Sequence, residues 1–236
     1  MDLQINTHKV FLKITKWMII AMIIIIPIQI ALFFFIPMPV DSLDFLILFH
    51  DNPLLGLLHM DLLYILNNTF LIFFYFALYI TLNHKQKSML NFALITGIVG
   101  TILYYASNRS VEMLLLSERY FSTSNETLKL SYLAIADSYI DLWSGTAFNI
   151  YYILNAISLI LFSLVIMKSD FYTKTTGIIG LISGILMTIP SGFGIVGLTM
   201  SLLSLIPWII FSILIAIRLH KINDIKEETS VIIHES

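Results

Sequence analysis

The chain has 236 residues, of which 58% are hydrophobic and only 12% carry a charge. Soluble proteins average about 45–50% apolar and about 25% charged residues, so this chain cannot cover a water-exposed surface. Its 13 basic and 15 acidic side chains give no excess of positive charge for nucleic acid, and its lack of cysteine excludes disulfides, thiolate metal sites and iron–sulfur clusters. The composition therefore predicts an all-α integral membrane protein.

Six segments are long and apolar enough to cross a bilayer, which takes roughly 20 residues at about 1.5 Å each. They cover about 17–37, 62–83, 89–109, 145–167, 174–191 and 196–217. The first segment is longer than the core of a signal peptide and ends without a small-residue cleavage site, so we interpret it as an uncleaved helix. Residues 1–236 are thus predicted to form one polytopic transmembrane domain.

The basic residues predict how this domain is oriented. Short cytoplasmic loops are enriched in Lys and Arg. Ten of the 13 basic residues fall on one side of the predicted spans: Lys9, Lys13, Lys16, Lys85, Lys87, Lys168, Lys174, Arg218, Lys221 and Lys226. Only Arg109, Arg119 and Lys129 fall on the other side. We therefore expect a protein of the cell membrane with both termini in the cytoplasm.

The long outer connection after the third span contains a second kind of helix. Over about 126–143, apolar residues recur at helical spacing, at Leu128, Tyr132, Ile135, Ala136, Tyr139, Leu142 and Trp143. Asp137 and Asp141 lie on a different face of this predicted helix. This pattern predicts an amphipathic helix on the outer membrane surface.

Several polar residues share one depth near the outer surface. Counted from Lys85, Asp61 lies about 36 Å and Asn68 roughly 26 Å along the second helix. Arg109 lies about 33 Å from Lys87, and Asn149 about 28 Å from Lys168. We predict that these residues and Glu112 form a ligand-binding site; they are Asp61, Asn68, Arg109, Glu112 and Asn149.

Arg109 is the predicted anchor of this site. Its planar guanidinium can hold a carboxylate or an anionic headgroup, and Glu112, three residues later, lies on the same helical face. Two other interpretations stay open. The polar layer also fits an outer rim wetted by headgroups, and Arg109 and Glu112 also fit a salt bridge at a helix end.

A metal site is the other chemistry that the outer side suggests. His50, Asp51, His59 and Asp61 cluster in the sequence. Their spacing matches no zinc motif, and His59 and Asp61 point about 200° apart on a helix. We interpret them as interfacial histidines and helix caps, and we expect neither metal nor cofactor.

Two stretches resemble a known family. One is Arg109-Ser110-Val111-Glu112. The other runs from Leu154 through Lys168-Ser169-Asp170-Phe171 to the glycines Gly177, Gly180 and Gly184. Together they resemble a bacterial family of six-helix integral membrane proteins catalogued as a domain of unknown function. The resemblance implies six helices and singles out Arg109 and Glu112; it implies no activity.

Three functions remain after these exclusions. We favour a non-enzymatic protein with an outward-facing polar pocket for a small molecule or lipid, in sensing, binding or transport. The first alternative is a membrane-embedded, metal-assisted hydrolase that uses His59, Asp61 and Glu112. The second is an accessory subunit of another membrane protein. Apart from the bilayer and such a ligand, no partner is predicted.

Overall fold

The computed structural model describes residues 7–82 and 86–234, with side chains as far as Lys221. Residues 83–85, which include Lys85 and the end of the second predicted span, lie outside the described residues, as does the side chain of Lys226. The described helices are α1 (Lys9–Phe35), α2 (Ser42–Asp51), α3 (Pro53–His59), α4 (Leu62–Thr81), α5 (Lys87–Ser107), α6 (Ser110–Ser122), α7 (Glu126–Trp143), α8 (Thr146–Ile166), α9 (Lys174–Leu186) and α10 (Gly194–His234).

Five helical runs in the described part of the chain are long and apolar enough to cross a membrane. They are Lys9–Phe35, Leu62–Thr81, Lys87–Ser122, Glu126–Ile166 and Gly194–Lys221, the third and fourth each combining two consecutive helices. Many large apolar side chains on these helices point outward, as expected for surfaces that contact lipid. The predicted all-α fold is confirmed over the described residues.

The main hydrophobic core fills the half of the bundle that contains Lys16 and Arg218. Phe74 of α4, Phe162 of α8 and Phe211 of α10 are fully buried there. Side chains of α1 and α5 complete the cluster, including Ile19 and Leu90. The cavity described below adjoins this core, because the two share buried side chains of α4 and α8.

A second core joins three helices at the other end of the bundle. Apolar side chains of α2, α6 and α7, among them Phe45, Met113 and Ala136, pack together there with Met60. The predicted helix over 126–143 is present as α7, and one of its faces lies against this cluster. The sequence did not predict α2, α3 or α6.

Local capping explains why two of these unpredicted helices form. The Asp41 carboxylate accepts a hydrogen bond of 2.9 Å from the backbone N–H of Asp44 and so caps α2. The Asn52 side chain caps α3 in the same way through Leu55, and Pro53 occupies the first turn. Such caps satisfy the N–H groups that a helix start leaves without partners.

Helix α9 is shorter than the predicted span over 174–191. It ends at Leu186 after 13 residues, so it covers about 20 Å of a hydrocarbon layer about 30 Å thick. Pro190 disfavours helical backbone at the residue before it. The chain therefore leaves the helix early and continues as turns to Gly194.

The glycines of α9 bring it into close contact with α8. A Cβ atom on Gly177 would come within 2.8 Å of the Ser163 carbonyl oxygen, and one on Gly184 within 2.8 Å of the Ile160 side chain. Further along, Gly192 lies beside Asn149, near the start of α8. Residues 177–192 thus run antiparallel to α8 along most of its length.

Candidate functional site

The predicted pair of Arg109 and Glu112 is formed on the surface of the bundle. Arg109 Nη1 lies 3.3 Å from Glu112 Oε1, and the two side chains are 27% and 44% exposed. The same nitrogen donates to the backbone oxygen of Asn108 over 3.3 Å. Both residues line a shallow depression that also involves Thr69 and Tyr105. The ligand-binding role of the pair stays a prediction.

The two predicted asparagines make contacts that fix the backbone and join helices. Asn68 is fully buried on α4, where its amide donates to the Tyr64 carbonyl and its oxygen accepts from the Tyr151 hydroxyl of α8 over 3.1 Å. The Asn149 amide donates to the carbonyl oxygens of Ser144 and Gly145 at the start of α8. Neither asparagine is among the residues that line the deep cavity of the bundle.

Asp61 is the predicted site residue that does line this cavity. It is only 7% exposed, and it adopts a left-handed backbone conformation with φ of 69° immediately before α4. Its Oδ2 accepts a hydrogen bond of 2.8 Å from Trp143 Nε1 at the end of α7. Left-handed backbone is sparsely populated outside glycine, and such residues cluster at functional sites.

Burial changes the acidity of Asp61. Loss of water around the side chain raises the pKa of this carboxyl to about 7, although the hydrogen bond from Trp143 works in the opposite direction. The Tyr104 hydroxyl also interacts with the carboxylate and lowers the pKa, but the two groups fall short of a full hydrogen bond. Asp61 is therefore balanced between its neutral and charged forms near neutral pH.

The cavity itself has a volume of about 590 Å³. It lies between α1, α4, α5, α8 and α10, and the turn after α9 contributes Ser191 and Gly192. Its walls are mainly apolar, while Asp61, Trp143 and Ser144 place polar groups at one end. A long apolar space with a polar end suits an amphipathic molecule.

Tyrosines supply much of the remaining polarity of the cavity wall, and they are Tyr64, Tyr75, Tyr104, Tyr151 and Tyr152. The Tyr75 hydroxyl donates to Asn155 Oδ1 over 2.5 Å. The Tyr152 hydroxyl lies 3.1 Å from Ser201 Oγ of α10. These bonds join neighbouring helices and hold the rings in fixed positions around the cavity.

Two polar atoms at the cavity lack a hydrogen-bond partner. They are the Tyr104 hydroxyl and Asn67 Oδ1, and both residues are almost fully buried while lining the cavity. An unsatisfied buried polar group costs about 1–3 kcal/mol, so such groups are rare in native proteins. These two atoms add unsatisfied polarity to the cavity wall, although neither is exposed to the space inside it.

Sequence reasoning located Asp61 but missed the tyrosines and Trp143. All five tyrosines lie inside predicted spans, where a buried hydroxyl must find a partner. The need of each buried hydroxyl for a partner could have identified these tyrosines as candidates for a polar site. Trp143 lies on the apolar stripe predicted for an amphipathic helix, and nothing in that pattern indicates that its indole N–H bonds to Asp61, 82 positions away.

His50, Asp51, His59 and Asp61, which are close together in the sequence, do not come together as one group of ligands in the described structure. His59 is buried, and its ring nitrogens lie 3.0 Å from the Leu55 carbonyl oxygen and 3.3 Å from the Ile36 carbonyl oxygen. The His50 ring stacks on Phe121. In the described ranges, no three His, Cys, Asp or Glu side chains are grouped so that they could hold a metal ion.

Comparison with known proteins agrees with the resemblance noted in the sequence. No curated protein and no solved structure matches the chain. A family model described as Domain of unknown function (DUF4386) matches residues 16–219, which include all five membrane-spanning candidates for the greater part of their length. The chain belongs to this family.

Proposed function

We propose that this chain is a non-enzymatic protein of the cell membrane that crosses the bilayer six times, has both termini in the cytoplasm and binds an amphipathic small molecule or lipid in its deep cavity. The topology is supported by the charge asymmetry of the sequence together with the five long apolar helices. The sixth crossing is made by α9 and the turn that follows it.

The path of the chain beside α8 supports this sixth crossing. Gly177 lies next to Met167 at one end of α8, and Gly192 lies next to Asn149 near its other end. Because α8 is long enough to span the bilayer, a segment that runs beside it over its whole length also crosses the bilayer. Non-helical backbone is tolerated at membrane depth where it lines a cavity, and the segment after α9 does so through Met187, Ser191 and Gly192.

One observation carries the binding function: a buried carboxylate lies at one end of an apolar cavity of about 590 Å³. On the proposed topology, this polar end belongs to the outer half of the bundle. Apolar walls bind a chain or ring, and a few polar groups fix its orientation. The cavity therefore has the composition of a binding site for a molecule with one apolar and one polar part.

The metal-assisted hydrolase receives less support. His59 contacts two carbonyl oxygens, Glu112 pairs with Arg109 on the surface, and Asp61 lies in the cavity. The three residues that this reaction needs are thus engaged in three separate places. In the part of the chain that the structure describes, no specific contact surface favours an accessory subunit over ligand binding.

Native mass spectrometry tests the binding function. Protein purified from native membranes is expected to retain a lipophilic adduct. Leu205→Trp, which fills the cavity from α10, should lose the adduct, whereas Leu203→Trp, on the lipid-facing side of the same helix, should keep it. Absence of any adduct, or equal adducts in all three proteins, would contradict the proposal.

A further inference from the structure

The charge of the cavity wall is unusual for a site that would receive a lipid headgroup. Asp61 lines the cavity, whereas no Lys, Arg or His side chain of the described residues does so. Burial has removed the water that would stabilise its carboxylate, and its close partner Trp143 is uncharged. Among the described residues, the cavity wall therefore contains one acidic side chain and no basic one.

Aromatic rings surround this carboxylate. Tyr64, Tyr104 and Tyr152 lie within electrostatic reach of Asp61, and Trp143 bonds to it directly. The ring of Phe148 lies 5.2 Å from that of Tyr152, centroid to centroid, and extends the aromatic surface. The faces of aromatic rings carry partial negative charge and attract cations.

We infer that the ligand is a cationic amphiphile, an apolar chain or ring system with an ammonium headgroup, and that Asp61 and the rings around it bind the ammonium. This inference rests on the proposed function. It adds the charge of the headgroup, which the binding function alone does not specify.

Three headgroup charges can be compared in this site. An anion would meet Asp61 without any basic side chain to offset the repulsion. A neutral headgroup leaves Asp61 in the protonated form that burial already favours, and it gains no ion pair. A cation neutralises the carboxylate and gains contacts with the ring faces, and it gains more in a dry cavity than in water.

The tail of this ligand has a clear place in the structure. Away from Asp61 and the aromatic rings, the cavity is lined by apolar side chains of α1 and α10, among them Ile26 and Leu205. Phe34 and Leu202, also in the lining, are exposed on the outside of the bundle. The cavity wall thus reaches the lipid-facing surface between α1 and α10, and a tail can enter from the bilayer.

Three molecules with the same tail and different headgroups test the inference: dodecyltrimethylammonium, dodecanol and dodecanoate. Binding of each is measured by isothermal titration calorimetry to the full chain in maltoside micelles, because this detergent brings no charged headgroup. Empty micelles give the partitioning background. Dodecyltrimethylammonium is expected to bind saturably and at least about tenfold more tightly than dodecanol, with no saturable binding of dodecanoate.

Variants of the chain then test whether Asp61 and the aromatic rings bind the ammonium headgroup. Asp61→Asn keeps an acceptor for Trp143 and should weaken binding of the cation by about tenfold or more. Asp137→Asn removes the same charge at an exposed position of α7 that does not line the cavity, and it should leave the affinity unchanged. Tyr152→Phe keeps the ring and should bind the cation, whereas Tyr152→Leu should bind it several-fold more weakly.

Each result separates the inference from the function on which it rests. Equal affinity for dodecanol and the cation, or unchanged cation binding by Asp61→Asn and Tyr152→Leu, would overturn the cationic headgroup while leaving an amphipathic ligand. Saturable binding of dodecanoate alone would also overturn it. Failure of all three molecules to bind saturably would contradict the binding function as well.

Discussion

Trp143 donates its indole N–H to Oδ2 of Asp61 over 2.8 Å and so ties the end of α7 to the start of α4. The bond holds the carboxylate at the polar end of the cavity, and the backbone of Asp61 itself is left-handed. It also joins the two cores of the molecule, because Trp143 packs on Phe45 of the second cluster while α4 belongs to the first.

The first prediction concerns this bond. Trp143→Phe keeps an aromatic ring against Phe45 but removes the donor, which leaves the buried Asp61 oxygen without its partner. We expect the free energy of unfolding to fall by about 1–3 kcal/mol. The measurement is reversible unfolding in mixed micelles. Trp17→Phe, at an exposed position on α1, is the matched control and should change the stability far less.

The second prediction concerns the pH dependence of stability. Burial raises the pKa of Asp61 from 3.8 to about 7, so between these values the folded protein holds a proton that the unfolded chain has lost. Unfolding then releases a proton, and the free energy of unfolding falls as pH rises from about 4 to about 7. Each unit of pKa difference corresponds to about 1.4 kcal/mol.

Asp61→Asn removes this titration. The variant should lose part of the decline between about pH 4 and pH 7, and it should be the more stable protein at the upper end of that range. Unfolding of both proteins in the same micelles across the series measures the difference. Parallel curves for the two proteins would show that Asp61 ionises equally easily in the folded and unfolded states.

The third prediction tests the close approach of α9 to α8. In Gly177→Ala, the added Cβ would lie 2.8 Å from the Ser163 carbonyl oxygen, and a backbone atom cannot move away as a side chain can. We expect a loss of about 1–3 kcal/mol in unfolding free energy. Thr175→Ala, at an exposed position on the same helix, should be nearly neutral. Equal stability of both variants would mean that the helices lie further apart.

The differences between sequence and structure have physical causes. Apolar runs fix where long helices lie, since the bilayer demands their length. Depth follows from the helical rise, so the sequence alone predicts Asp61 and Arg109 near one end of the bundle. The direction in which each residue points does not follow from depth. It depends on how the helices are rotated against one another, which places Asp61 at the cavity and Arg109 on the surface.

The fourth prediction separates the two roles of Arg109. Its partly exposed pair with Glu112 is the geometry of a structural ion pair, for which we expect Arg109→Ala to change the stability by about 1 kcal/mol or less. The adduct retained in the cavity should be unaffected. If Arg109→Ala loses the adduct and Arg109→Lys fails to restore it, Arg109 anchors the ligand as its guanidinium geometry suggested.

The last prediction decides the number of crossings. Because the chain has no cysteine, single cysteines can be introduced and labelled without a background. On intact cells, a membrane-impermeant maleimide should label Ser124→Cys and Phe193→Cys but not Asp170→Cys, and all three should react after permeabilisation. Phe193 follows the segment that runs beside α8, so its labelling reports the crossing made by the short α9. If the chain crosses only five times, Phe193 lies on the same side as Asp170, and both stay unlabelled until the membrane is opened.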